Sequence, residues 1–274
     1  MMSLGERLRP VAVGEDVFRG TAAPKPARIY GGEIAAQALS SANMTVGPDR
    51  TAHVIQCTYL KGGDPAEPVD YRVIRVRDGR SFSTRRVEAM QRGVVIQEAM
   101  IGYHVEEPGL THQLPMPQVP APDGLPDIGA LDGSPGQAWA DWASGVEEFE
   151  MRVVPADLDD PFGKRRFWCR FADRPERPAF GPVLTTYASD FTMVASVRLP
   201  HESTRSKEWL TTTLTHTVYF HRAHDSSDWV LWEHFSPVAA GARGIAIAHA
   251  YSKEGALVAT AMQEGLVRSW PNGV

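Results

Sequence analysis

Two cysteines, Cys57 and Cys169, are the whole thiol complement of this 274-residue chain, and they stand far apart in strand-like sequence. That scarcity excludes a disulfide-stapled scaffold and predicts two reduced core residues. Long apolar runs are missing too: none approaches the roughly 18 residues of a membrane span. The opening MMSLGERLRPVAVGEDVF lacks the apolar stretch of a signal peptide. A cytoplasmic protein with no membrane partner is the expectation. Nor is there a basic excess. A net charge of −5 and a pI near 6.0 give no electrostatic reason for nucleic acid or an anionic membrane to be the main partner.

Several catalytic signatures are also absent. The chain has no GxSxG elbow, no GxxxxGK[ST] phosphate loop and no GxGxxG turn, so Gly31-Gly32 is a pair only. His216, His221 and His224 are close in sequence, but strand alternation puts His216 and His221 on opposite faces, with no cysteine or carboxylate cluster beside them. No metal site and no cofactor are expected. Ser81 and Ser83 lack a partner base, which argues against a Ser-His-Asp hydrolase.

What the chain does contain is a faint internal repeat. GRSFSTRRVEAMQRGVVIQEAMIG at 79–102 resembles GARGIAIAHAYSKEGALVATAMQE at 241–264, with Gly79 on Gly241 and Gly93 on Gly255, a constant offset of 162. Each copy is two strand-like runs joined by a polar turn, Gln91-Arg92-Gly93 or Lys253-Glu254-Gly255. The length accommodates two domains of about 100–150 residues.

The first half predicts a strand over 11–19 and a helix over 31–44 with Ile34, Ala35, Ala38, Leu39 and Ala42 as its apolar stripe. Strands follow over 51–60, 69–77, 80–91 and 94–105. From 106 to 136 seven prolines exclude helix and central strand, which predicts a connection between domains. The second half predicts strands over 148–155 and 165–171, a helix over 182–196, then strands over 210–221, 228–238, 242–252 and 256–268. One helix and a run of hairpin-linked strands, twice over, predict an α+β fold in which a sheet wraps a helix in each half. The expected division is a domain over 1–105, a Pro-rich linker over 106–146 and a second domain over 147–274.

Three polar residues of the second half stand out. Asp190 falls at the edge of a helix stripe made by Leu184, Ala188, Phe191 and Ala195, where it is either a solvated carboxylate or one that enters a cleft. Thr213 sits in TTTLTHTVYF, on the strand face opposite Leu214, His216, Val218 and Phe220; threonine is common in strands. Gln263 shares a face with Leu257, Ala259 and Ala261, and the first copy has Ile101 at the matching position. A buried amide without partners costs about 1–3 kcal/mol, so this departure from an apolar default asks for a reason. A carboxylate, a hydroxyl and an amide together can hold one water and take its proton, which suits attack on an activated carbonyl such as a thioester.

The chain resembles the acyl-CoA thioesterase II, or TesB-like, family. The resemblance runs through FRG at 18–20, RIYGGEIAAQAL at 28–39, HVIQCTYLKGGD at 53–64, RDGRSFSTRRVEAMQRG at 77–93, PAPDGLP at 120–126, YASDF at 187–191, THTVYFHR at 215–222 and VATAMQEGLVR at 258–268. It implies a double hotdog, two helix-wrapped antiparallel sheets in one chain. It also implies a catalytic set of Asp190, Thr213 and Gln263, an acyl-CoA substrate, and association into a homodimer or larger homo-oligomer. His53 survives from the family's HSFHSYF-like strand as a substrate-binding candidate. Glu33 replaces the glutamine of a GGQ turn, Gln56 a second histidine, and Thr215 an acid, departures that touch the substrate range.

Gly31 and Gly32, at a helix N-terminus, offer backbone donors to the substrate. Arg85, Arg86 and Arg243 are the candidates for meeting the CoA phosphates. Two other activities are consistent with the residues: a non-catalytic acyl-CoA-binding protein, and an enoyl-CoA hydratase or dehydratase.

Overall fold

The computed structural model describes residues 2–23, 28–128, 149–155, 163–171, 180–204, 209–225 and 227–269. The described chain is mixed α/β, with long antiparallel strands and few helices. It divides into two compact units, each drawn from three stretches of sequence. The first comprises Met1–His112, Pro175–Phe191 and Thr215–Ala223; the second comprises Gln113–Arg174, Thr192–Leu214 and His224–Val274.

The first unit opens with a short helix, α1 (Leu4–Arg7), closed by a capping box between Ser3 and Glu6. Strands β1 (Val11–Gly14) and β2 (Val17–Gly20) follow. The sequence predicts one strand here; the chain instead folds back on itself at Asp16, which takes a left-handed φ of 52°. Next come α2 (Gly31–Asn43), β3 (Thr51–Tyr59), β4 (Val69–Asp78), β5 (Phe82–Gln91) and β6 (Val94–His104), all close to the predicted bounds. Their order is β1-β2-β4-β5-β6-β3, antiparallel throughout. The β5–β6 turn has Arg92 at φ 50° and Gly93 at φ 74°, the paired left-handed geometry that matches strand twist in a two-residue hairpin.

Helix α2 packs on β3, β4, β5 and β6. Ala35, Ala36, Ala38, Leu39 and Ala42 are all fully buried, and the small side chains let the helix sit close to the sheet. Its polar residues are satisfied internally. Gln37 donates to the carbonyls of Arg7 and Thr21 and accepts from the Tyr71 hydroxyl. Glu33 accepts from Arg7 Nε at 3.0 Å in a buried ion pair, which gives this departure from the family turn a structural role.

The predicted helix over 182–196 is two helices, α3 (Gly181–Ser189) and α4 (Met193–Arg198). The break is local: Asp190 ends α3 as its C-cap and Thr192 turns left-handed at φ 62°. Helix α3 packs on α2 within the first unit.

The second unit holds β7 (Phe149–Val153), β8 (Arg165–Phe171), β10 (Val230–Ala240), β11 (Arg243–Ser252) and β12 (Leu257–Ser269) in the order β12-β11-β10-β8-β7. Helix α4 packs on β10, β11 and β12. Trp168, Trp229, Leu231 and Tyr251 form a buried cluster, against which Met116, Val119 and Leu125 of the Pro-rich segment pack. Trp168 Nε1 donates to the Pro120 carbonyl at 3.0 Å, so the described part of that segment lies along this unit. Its residues 129–146 lie outside the described residues. Strand β9 (Trp209–Phe220) contributes its first half to the second unit and Thr215–Phe220 to the first, where Cys57 of β3 stands opposite His216. Both Cys57 and Cys169 are buried.

Candidate active site

A helix leaves its first N–H groups without intrahelical partners, and its N-terminus carries partial positive charge. Helix α2 has no side-chain cap at Tyr30. The Gly32 N–H donates instead to Asp190 Oδ2 at 2.8 Å, across 158 residues of sequence. Asp190 is half-buried, so its carboxylate is held without being sealed from solvent.

The surroundings explain why glycine stands here. A Cβ on Gly32 would lie 2.6 Å from the Tyr187 carbonyl oxygen, and one on Gly31 would lie 2.9 Å from Asp190 Oδ2. Two tyrosines tie the ends together. Tyr30 donates to the Tyr187 carbonyl at 2.8 Å, satisfying an acceptor in the last turn of α3, and Tyr59 donates to the Gly31 carbonyl at 2.8 Å. Burial pushes the Tyr59 phenol well above its ordinary range, and the negative charge of Asp190 adds to that. The Cys57 thiol is pushed up in the same way, first by burial and then by Asp190, which leaves it protonated and inert.

Beside Asp190, Ser189 Oγ lies 2.7 Å from His216 Nε2, both residues being fully buried. Ser189 also donates its hydroxyl proton to the Thr186 carbonyl at 2.9 Å. With that proton spent, His216 Nε2–H is the donor of the pair. Burial pushes the His216 pKa down to about 3, so the ring is neutral and serves as a structural clamp on the end of α3. This pair escapes a reading of the sequence alone; its one signal is a histidine on the inward face of β9.

Thr213 and Gln263 belong to the second unit, on β9 and β12, which are neighbours in the strand order. Gln263 is buried opposite Ala246 of β11, in the same row as the fully buried Ala259 and Ala261. The amide in an apolar row expected from the sequence is therefore found. At the offset position of the first copy, Ile101 is fully buried.

The other candidates lie elsewhere. His53 sits at the opposite end of β3 from Tyr59, edge-on to His104 and Phe82 with ring centroids 5.6 and 5.9 Å away. Six residues of strand amount to about 20 Å, which separates it from Tyr59. Burial, and then the neighbouring His104, lower its pKa.

Arg85 is not a surface residue. It is 1% exposed, and its guanidinium donates to Thr45 Oγ1, the Thr45, Arg77 and Thr84 carbonyls and the Asp78 carboxylate. Arg86 and Arg243 do reach the surface, where they pair with Glu88 and Glu264 at 3.0 Å.

Comparison with known proteins agrees with this architecture. Residues 21–104 match the model of the acyl-CoA thioesterase N-terminal domain, and residues 118–267 that of the acyl-CoA thioesterase C-terminal domain. The chain is 31% identical to acyl-coenzyme A thioesterase 8 of Rattus norvegicus over 94% of its own length and 86% of the rat protein. It is 32% identical to acyl-CoA thioesterase 2 of Haemophilus influenzae over 92% of each. The crystal structure of acyl-CoA thioesterase II TesB2 from Mycobacterium marinum superposes with a TM-score of 0.85 at 32% identity, covering 99% of this chain and all of that one. The chain belongs to the acyl-CoA thioesterase family, in its TesB-like branch.

Proposed function

We propose that this protein hydrolyses acyl-CoA thioesters to the free acid and CoA, with Asp190 as general base. The observation that carries this reading is the carboxylate itself, half-buried and fixed by the Gly32 N–H at the N-terminus of α2. A held carboxylate reached by solvent is suited to taking a proton from water. In the proposed step the water oxygen attacks the thioester carbonyl carbon while its proton passes to Asp190. The tetrahedral intermediate then collapses, breaking the C–S bond, and Asp190 returns the proton to the leaving thiolate. Thr213 and Gln263 orient the water in this reading, as the motif resemblance implies. Each backbone donor to the developing oxyanion is worth about 3–4 kcal/mol. The Gly32 N–H is engaged with Asp190, which leaves the Gly31 N–H as the candidate donor in that turn.

Each half of the sequence is read as one hotdog, and the protein as a double hotdog that associates into homodimers or larger homo-oligomers. Sedimentation tests the latter. Among the described residues no helix is long and apolar enough to cross a membrane. A cytoplasmic site of action is part of the same proposal. The hydratase alternative requires an acid–base histidine working with the aspartate; His216, whose partner Ser189 adjoins Asp190, is fully buried and neutral. Thiol release from acyl-CoAs tests the reading directly: turnover supports hydrolysis, and binding without turnover contradicts it.

A further inference from the structure

Among the described residues the first unit has three buried glutamines, and they differ in one respect. Gln37 has both amide atoms hydrogen-bonded. Gln91 accepts from the Asp64 N–H at 2.8 Å and donates to the carbonyls of Asp64 and Glu67. Gln97 is 0% exposed; neither Oε1 nor Nε2 makes a hydrogen bond of ordinary geometry, and the polar group that interacts with it is the Tyr59 hydroxyl. Leaving such an amide unsatisfied costs about 1–3 kcal/mol, and native proteins rarely tolerate it without a reason.

Its position suggests the reason. Gln97 lies on β6 directly between Tyr59 of β3 and Ala89 of β5, with the small side chains of Cys57, Ala89 and Ala99 around it. Tyr59 has already given its hydroxyl proton to the Gly31 carbonyl, the residue whose absent Cβ would fall 3.3 Å from the Tyr59 ring and 2.9 Å from Asp190 Oδ2. The amide, with only a weak contact to the Tyr59 hydroxyl, therefore lies behind the turn that holds Asp190, on the inner face of the sheet against α2. An acyl tail that leads from a carbonyl at Asp190 past the Tyr59 side chain meets this amide.

We propose that Gln97 is a specificity-determining residue that receives a hydroxyl or oxo oxygen of the acyl group, so that the enzyme favours oxygenated acyl-CoAs over plain saturated ones of equal length. The proposal rests on the thioesterase reading. A carboxamide is suited to this task because it offers one acceptor and two donors and pairs with a hydroxyl in either direction. A saturated chain leaves the amide with only that weak contact, and sites built to bind a hydroxyl discriminate strongly against analogues that lack it.

The test compares decanoyl-CoA with its 2-, 3- and terminally hydroxylated and 3-oxo forms by thiol release, in wild type and in Gln97→Leu. Gln97→Met, unbranched and of similar length, is the second variant should leucine fold poorly. The expected result is a wild-type kcat/KM ratio favouring at least one oxygenated ester. In the variant that ratio shifts roughly tenfold or more toward decanoyl-CoA, with a melting temperature no lower than wild type. An unchanged ratio, whatever happens to the absolute rate or to stability, overturns the proposal and leaves Gln97 as a hydrated structural amide. Should wild type release no thiol from any ester, the thioesterase reading fails separately. The same ratio is then read from dissociation constants of the five esters, and equal ratios in wild type and variant again overturn it.

Discussion

The Gly32 backbone N–H and the Asp190 carboxylate meet at 2.8 Å, which joins the start of α2 to the end of α3 and fixes the orientation of that carboxylate. The arrangement depends on the missing side chain. Alanine at a helical position is ordinarily worth about 1 kcal/mol over glycine. Here its methyl would sit 2.6 Å from the Tyr187 carbonyl oxygen, so backbone must move. Gly32→Ala is expected to lower kcat by about 10- to 100-fold, because small misplacements of a reacting group are costly, and to lower the melting temperature. Steady-state thiol release and a thermal melt check both; an unchanged kcat contradicts the role given to this contact.

The Ser189–His216 clamp predicts a pH dependence of stability. The folded His216 pKa lies at about 3, against an ordinary value near 6.5. Between those values the unfolded chain takes up a proton that the folded protein excludes, so the contribution is fully present above pH 6.5 and is lost as pH falls toward 3. The slope from this one group is about 1.4 kcal/mol per pH unit. Chemical denaturation from pH 7.5 to pH 4 in wild type and His216→Gln isolates it, since other titrating groups are common to both. The variant is expected to lose less stability over that range; parallel curves contradict a neutral, buried ring.

Breaking the Arg7–Glu33 pair leaves a buried charge alone, a loss of about 3–5 kcal/mol. Arg7→Met is expected to fall in that range by chemical denaturation, and Arg7→Met with Glu33→Gln to recover part of it, since the glutamine carries no charge to strand. A double variant no more stable than the single one contradicts the pairing as the reason for Glu33.

Most strands were legible because alternation and turn residues both punctuate them, and β3 to β6 and β8 to β12 lie within one or two residues of expectation. The break at Asp190–Thr192 was not legible: SDFTM contains no glycine or proline, and the left-handed Thr192 is imposed by context. The burial of Arg85 follows from strand alternation. Adjacent strand residues point to opposite faces, so Arg85 and Arg86 cannot both meet solvent on one side, and Arg85 is the one turned inward. Gln97, like Gln263, interrupts an apolar row, beside Ala99 and Ile101. The contacts of Asp190 with Gly32 and of Ser189 with His216 join residues distant in sequence, and no local pattern encodes them.

Thiol release from acyl-CoAs spanning C2 to C18, measured for wild type beside Asp190→Asn and Gln263→Ala, tests the central claim most directly. The account predicts turnover by wild type, with kcat falling by at least about 100-fold in Asp190→Asn and at least about 10-fold in Gln263→Ala at unchanged fold. Wild-type turnover that survives Asp190→Asn would contradict it.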